Sequence, residues 1–281
     1  MRAVLTLHSP RQSKAYYAEG LWRDDTFYSL LVRNASERGD VTALIDARQS
    51  LTWNELLGRV DALAAQFEEQ ELKSGDRVSL WMSDKIETLI AFLACSRNGL
   101  VCSPSLHMTY TCQEIVKLLK RLNAAALVTD PGWGADRGSN NFNKMLQDVA
   151  SLKAVFDPAE FPTSAASPES KPEDDPDALA YLAFTSGTTG LPKCVMHSTN
   201  TLLANAREMV QTWSVNSDTR LLTLSPMSHH IGWVAAGQWL LSACSLIVGS
   251  PPEGQKPLDW IVETDATYVM GVPTHAMDIL S

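Results

Sequence analysis

A chain of 281 residues, 45% of them hydrophobic, can bury one large core or two modest ones. Its 20% charged and 7% aromatic content is ordinary for a globular protein. The net charge of -9, with no run of basic residues, argues against a general nucleic-acid binder, which needs clustered Lys and Arg.

The N-terminal stretch MRAVLTLHSPRQSK has too short an apolar run for a secretory signal. Thr52-Trp53-Asn54-Glu55 spells a capping box, with a hydroxyl at the N-cap and a carboxylate three residues on. It predicts a helix whose apolar residues Leu56, Leu57, Val60, Leu63, Ala64 and Phe67 share one face. Gly75-Asp76 turns the chain into a strand at Arg77–Met82, followed by a helix over Ile86–Ser96 and a short strand near Leu100–Ser103. A second capping box, Thr111-Cys112-Gln113-Glu114, opens a helix carrying Ile115, Leu118, Leu119 and Leu122. Ala125–Thr129 and Lys153–Phe156 read as strands, with a helix around Phe142–Ala150 between them.

From Asp157 to Asp177 the composition turns to Pro, Ser and acidic residues, which predicts a solvated, mobile linker with nothing to bury. The alternation then resumes, with strands at Leu179–Phe184, Arg220–Leu224, Leu246–Val248 and Tyr268–Val272 and helices at Thr201–Thr212, Gly232–Ser242 and Leu258–Glu263. The uncharged run Ile231–Ser250 is long enough for a membrane span. Its Gln238, Ser242 and Ser245 favour a buried helix leading into a buried strand, so no membrane span is expected. The whole reads as α/β with a mainly parallel sheet, in approximate lobes 40–156 and 179–281 joined by the linker at 157–177. Five cysteines, odd in number and without a C-x-x-C pair, suit reduced thiols in a cytoplasmic protein. No metal-ligand pattern is evident.

Chemistry concentrates directly after the strand Leu179–Phe184, in Thr185-Ser186-Gly187-Thr188-Thr189-Gly190-Leu191-Pro192-Lys193. Gly187 and Gly190 let the backbone approach an oxygen-rich ligand, and successive amides of such a turn make an anion-binding concavity. Ser186 and the threonine hydroxyls can donate to phosphate oxygens, and Lys193 adds a point charge. The loop is not the common P-loop, because Leu191 and Pro192 separate Gly190 from Lys193 and Cys194 follows. The plain alternative is a hydroxyl-rich surface turn, which nine such residues after a strand do not resemble.

The segment YLAFTSGTTGLPKCVMHS resembles the phosphate-binding signature of the adenylate-forming superfamily: acyl-CoA synthetases, luciferases and nonribosomal peptide adenylation domains. Cys194 stands where that signature usually has Gly. Tyr17–Leu31 resembles the opening of aryl-acid and cyclohexanecarboxylate-type CoA ligases, and Leu51–Leu57 with Gly75-Asp76-Arg77-Val78 resembles the entry to the superfamily's first lobe. Ser225-Pro226-Met227-Ser228-His229-His230-Ile231-Gly232 resembles its Pro-x-x-His-x-x-Gly motif. On sequence alone a histidine after a strand is more often a satisfied structural residue. The resemblance instead places His229 beside the acyl carboxylate and the α-phosphate, where it can donate to an oxyanion. His230 stands where aryl-acid relatives tend to carry Asn, and Trp233 either walls the acyl pocket or belongs to the core.

The resemblance implies the large N-terminal domain of these enzymes, with two stacked α/β subdomains, incomplete at its C-terminus. It further implies activation of a small carboxylic acid by ATP through an acyl-adenylate, with CoA as the thiol acceptor. Thr185 to Lys193 would hold the phosphates, Lys193 and His229 would be catalytic, and His229, His230 and Trp233 would meet the acid. The superfamily's Mg²⁺ carboxylate, ribose-binding aspartate and adenylation lysine are expected in a missing C-terminal half, so the 281 residues alone are expected to be inactive. The alternatives are an enzyme that loads a carrier protein, and a non-catalytic nucleotide-binding remnant.

Overall fold

The computed structural model describes residues 8–136, 138, 141–163, 166–185 and 192–280. In chain order its first half holds α1 (Pro10–Ala18), α2 (Phe27–Arg38), β1 (Thr42–Ile45), β2 (Ser50–Thr52), α3 (Trp53–Glu69), β3 (Arg77–Trp81), α4 (Ile86–Arg97), β4 (Val101–Ser103), α5 (Cys112–Leu122), β5 (Ala126–Thr129), α6 (Phe142–Leu146) and β6 (Ala154–Phe156). Beyond the linker come β7 (Leu179–Phe184), β8 (Cys194–Ser198), α7 (Thr199–Thr212), β9 (Arg220–Thr223), α8 (His230–Ser242), β10 (Ser245–Ile247), α9 (Pro257–Glu263), β11 (Tyr268–Met270) and α10 (Pro273–Leu280).

Both expected capping boxes form: Thr52 accepts from the Glu55 amide and Thr111 from the Glu114 amide, while each glutamate reaches back to its cap. Such a cap stabilises a helix by about 1 kcal/mol. The uncharged run divides as its polar interruptions indicate. α8 stops at Ser242, Ala243 adopts a left-handed φ of 55°, and β10 begins two residues later. No helix among the described residues is long and apolar enough to cross a membrane.

The strands form two sheets. One runs β6-β5-β3-β4-β7-β8 and is parallel except for β8, which pairs antiparallel with β7. The other runs β11-β9-β10-β1-β2 and is parallel except for β2. Alternation along each strand sorts the layers, because successive side chains point to opposite faces. Tyr181 and Ala183 face the main core, which Phe27, Leu56, Leu63, Leu93, Leu203 and Trp239 fill from the helices between the sheets. Leu182 and Phe184 face outward onto a second cluster with Ile115 and Leu119 of α5 and Phe142 of α6. Leu222 and Ile247 meet Trp260 of α9 on the far side of the other sheet. The result is two stacked α/β subdomains sharing a central helix layer. At its centre Trp53 of α3 and Trp239 of α8 stack with ring centroids 5.1 Å apart, both fully buried.

Two features differ from the sequence reading. The linker does not separate the sheets: β1 and β2 precede it but pair into the sheet of β9 to β11, and β7 and β8 follow it but complete the sheet of β3 to β6. Nor is all of the linker free. Arg97 donates to the Ser170 carbonyl at 2.6 Å and accepts from the Glu173 amide at 2.9 Å, and Glu68 accepts from the Glu169 amide at 2.8 Å. Arg97 is 5% exposed, so the linker satisfies a nearly buried charge that its composition does not advertise.

Candidate active site

Two turns at strand ends carry the residues in question. The first joins β7 to β8. Its stem is closed by the Thr185 amide, which donates to the Lys193 carbonyl at 2.9 Å, one step beyond the Phe184–Cys194 register pair. The Phe184 amide donates to the buried Ser105 hydroxyl at 2.6 Å, fixing the strand exit. Arg121, in the last turn of α5, grips both sides of this stem. Its guanidinium donates to the Pro192 carbonyl and lies 5.8 Å from the Phe184 ring centroid. Thr185 and Lys193 are exposed and Pro192 is half-buried. Ser186, Gly187, Thr188, Thr189, Gly190 and Leu191 lie outside the described residues. Cys194 is half-buried at the start of β8, and burial pushes its thiol pKa up.

The second turn joins β9 to α8. The His229 amide donates to the Pro226 carbonyl at 2.9 Å, and the buried Trp233 indole donates to the Met227 carbonyl at 2.6 Å. Gly232 is needed there, since a Cβ would stand 2.9 Å from the Pro226 carbonyl oxygen. Across the turn, the Met227 amide donates to Asp84 Oδ1 at 2.7 Å. His229 is the N-cap of α8, yet its side chain makes no capping bond, so the ring is directed elsewhere.

Two histidines that the sequence reading did not single out complete the arrangement. His107, beyond β4, lies against His229 with centroids 4.4 Å apart, and its Nδ1 is 3.0 Å from the Ser228 hydroxyl. His197 on β8 stacks on His230 at 5.2 Å. Tyr181 adjoins His197, His230 and Trp233 at 5.8, 5.9 and 6.0 Å. The Tyr181 hydroxyl is buried without a hydrogen-bond partner among the described residues. Trp233 is 3% exposed, lies 4.2 Å from Phe92 and belongs to the main core. No short motif could have shown His107 or His197, because each is defined by a partner more than thirty residues away.

The structure thus gathers His229, His230 and Trp233 at the start of α8, with Lys193 at the exit of the other turn. β8 starts at the first turn and carries His197 against His230 of the second. It leads from Lys193 to His197 over four residues, about 13 Å of extended chain. Burial, then the neighbouring ring, pushes the pKa of His107 down (neighbour His229) and that of His197 down to about 4 (neighbour His230). Burial also lowers His230. Neutral imidazoles at pH 7 can each donate one hydrogen bond and accept another.

The depressed His197 has a measurable consequence. The folded state binds its proton more weakly than the unfolded chain, whose ordinary histidine pKa is about 6.5. Its contribution to stability is therefore present above pH 6.5 and is lost as pH falls through 6.5 towards the folded value near 4. Urea unfolding from pH 7.5 to 4 should show a fall that is shallower in His197→Gln. An identical profile in the variant would contradict this assignment.

Among the described residues, no three His, Cys, Asp or Glu side chains converge as a metal-binding set.

A family model described as "AMP-binding enzyme" matches residues 31–281. This chain belongs to the AMP-binding enzyme family. Among the family's curated members, it is 29% identical over 276 residues to a "3-[(3aS,4S,7aS)-7a-methyl-1,5-dioxo-octahydro-1H-inden-4-yl]propanoyl:CoA ligase" of Rhodococcus jostii strain RHA1, covering 90% of this chain and 53% of that protein. It is 25% identical over 290 residues to a "Salicylyl-CoA synthase / salicylate adenylyltransferase" of a Streptomyces species, covering 94% and 51%. The chain spans about half the length of these curated relatives. The fold matches the apo structure of Mycobacterium smegmatis MbtA with a TM-score of 0.83 at 23% identity, covering 98% of this chain and 53% of that one.

Proposed function

We propose that this AMP-binding chain supplies the phosphate- and acid-binding part of an acyl-CoA synthetase working in the cytoplasm. In this reading a carboxylate oxygen attacks the α-phosphorus of ATP, forming the acyl-adenylate and releasing pyrophosphate. The CoA thiol then attacks the acyl carbon, forming the thioester and releasing AMP. Lys193 and the hydroxyl-rich loop from Thr185 hold the β- and γ-phosphates, and His229 donates to the oxygens between the carboxylate and the α-phosphate. His230, stacked on His197, shapes the acid's environment. Mg²⁺, when bound, would screen the triphosphate charge.

The family match over residues 31–281 carries this reading. The 29% relative is a CoA ligase, which supports CoA as acceptor. The acid named for that relative sits on a fused alicyclic skeleton, which agrees with the absence at position 230 of the Asn typical of aryl-acid relatives. A second reading is an aryl-adenylating or carrier-loading enzyme, of which the salicylate relative favours the aryl-adenylating form.

A panel of aliphatic, alicyclic and hydroxybenzoic acids, assayed by AMP release with and without CoA in a full-length enzyme that contains this chain, separates the two. We expect CoA-dependent release, greatest with aliphatic or alicyclic acids. Hydroxybenzoates as clearly the best substrates, or AMP release only with a carrier protein, would establish the second reading instead.

A further inference from the structure

We infer that Asp84 is a positioning residue for His229, holding the backbone of the turn that presents this histidine. The inference rests on the role proposed for His229. Asp84 lies in the connection between β3 and α4, which is fixed on both sides of it. Ser83 donates to Asp130 through its amide at 2.7 Å and its hydroxyl at 2.6 Å, and Lys85 forms an ion pair with the same carboxylate. On the other side, the Ile86 amide donates to Asp46 Oδ2 at 3.1 Å. The Asp84 backbone is also pressed by the loop after β10, where a Cβ on Gly249 would come within 2.7 Å of the Asp84 carbonyl oxygen and where φ is +89°.

From this rigid mount the Asp84 carboxylate accepts the Met227 amide at 2.7 Å, 143 residues along the chain. Met227 is the middle of the turn: its carbonyl takes the Trp233 indole, and its neighbour Pro226 takes the His229 amide. One carboxylate oxygen therefore sets the plane of the Pro226–Met227 peptide, whose carbonyl takes the His229 amide, while the next peptide takes the Trp233 indole. Behind the turn, a cavity of about 160 Å³ is lined by Asp84, Ser225, Pro226, Gly249 and His275. The Asp84 hydrogen bond adds a polar restraint on this side to the burial of Met227 and Trp233 in the core. Burial pushes the carboxyl up to about 6 against the opposing effect of the Met227 amide. A neutral amide oxygen in the same place is thus a mild change, whereas removal of the acceptor is not.

The experiment compares Asp84→Ala with Asp84→Asn, in a full-length enzyme that contains this chain, by acid-dependent ATP–pyrophosphate exchange and by the imidazole NMR resonances of His229 and His107. Displacing a reacting group by about 1 Å can cost 10²-fold in rate. We expect D84A to lose about tenfold or more in turnover, to keep its KM for ATP within about twofold, and to move both histidine resonances. D84N should stay within about threefold of the parent, with the resonances in place. If D84A does not fold, Asp84→Glu, which shifts the acceptor by one methylene, replaces it. Unchanged resonances and turnover in D84A, Asn as damaging as Ala, or an ATP KM that rises as far as turnover falls would each overturn the proposal. Absence of acid-dependent exchange in the parent would instead count against the proposed function, and the resonances would still decide the positioning.

Discussion

In a full-length enzyme that contains this chain, replacing Lys193 by alanine is expected to lower acyl-adenylate formation by about 10²–10³-fold, the usual cost of one preorganised charge-stabilising group. The substitution is a clean one in this fold. Lys193 closes the stem through its backbone carbonyl, which accepts from Thr185, while its side chain is exposed. Alanine keeps the carbonyl and removes the ammonium together with the methylene stem beyond Cβ. Binding of the carboxylic acid should change little, because that end of the reaction is assigned to His229 across β8. Steady-state kinetics with saturating ATP decide the matter. Unchanged turnover would show that the phosphates lie elsewhere. Lys193→Arg, which keeps the charge but not its compact shape, should fall between.

Trp239→Ala is expected to destabilise the protein by about 3–5 kcal/mol, the range for truncating a fully buried Trp or Phe. Trp239 is stacked on Trp53 between the two sheets, and both rings have no solvent exposure. Alanine would open a void in the layer that both sheets share, where neighbours from α3, α7 and α8 cannot all collapse inward. Trp239→Phe keeps an aromatic partner for Trp53 and should cost markedly less. A urea titration should show a lower midpoint with an unchanged slope. A loss below about 1 kcal/mol would mean that the stack is not a principal support of the core.

What could be read beforehand depended on how local each signal is. The capping boxes at Thr52 and Thr111 lie within four residues, and both helices begin where those residues indicate. The break in the apolar run at Ala243 was equally local. α2 went unread although it too has a reciprocal cap, because Ser29 takes the place of the usual Glu or Gln opposite Thr26. β1 and β2 are four and three residues long and carry no periodicity to detect. Of the candidate site, the two motifs were legible as residue runs. The pairings His107–His229 and His197–His230, and the bond from Met227 to Asp84, exist only once distant segments meet. The acidic linker misled for a related reason. Polar composition describes its own affinity for water, and Arg97 and Glu68, which hold it, belong to helices far upstream.

The crossing of strands over that linker makes the protein tolerant of a cut in it. A protease acting between Phe161 and Pro168 would leave one piece ending after β6 and another beginning before β7. Neither piece has a whole sheet, since the first needs β7 and β8 and the second needs β1 and β2. Each is therefore the other's missing edge. The nicked molecule should migrate as one species under native conditions and as two bands only in denaturant. Separately expressed, the two pieces are natural candidates for complementation, each remaining poorly ordered until its counterpart is added.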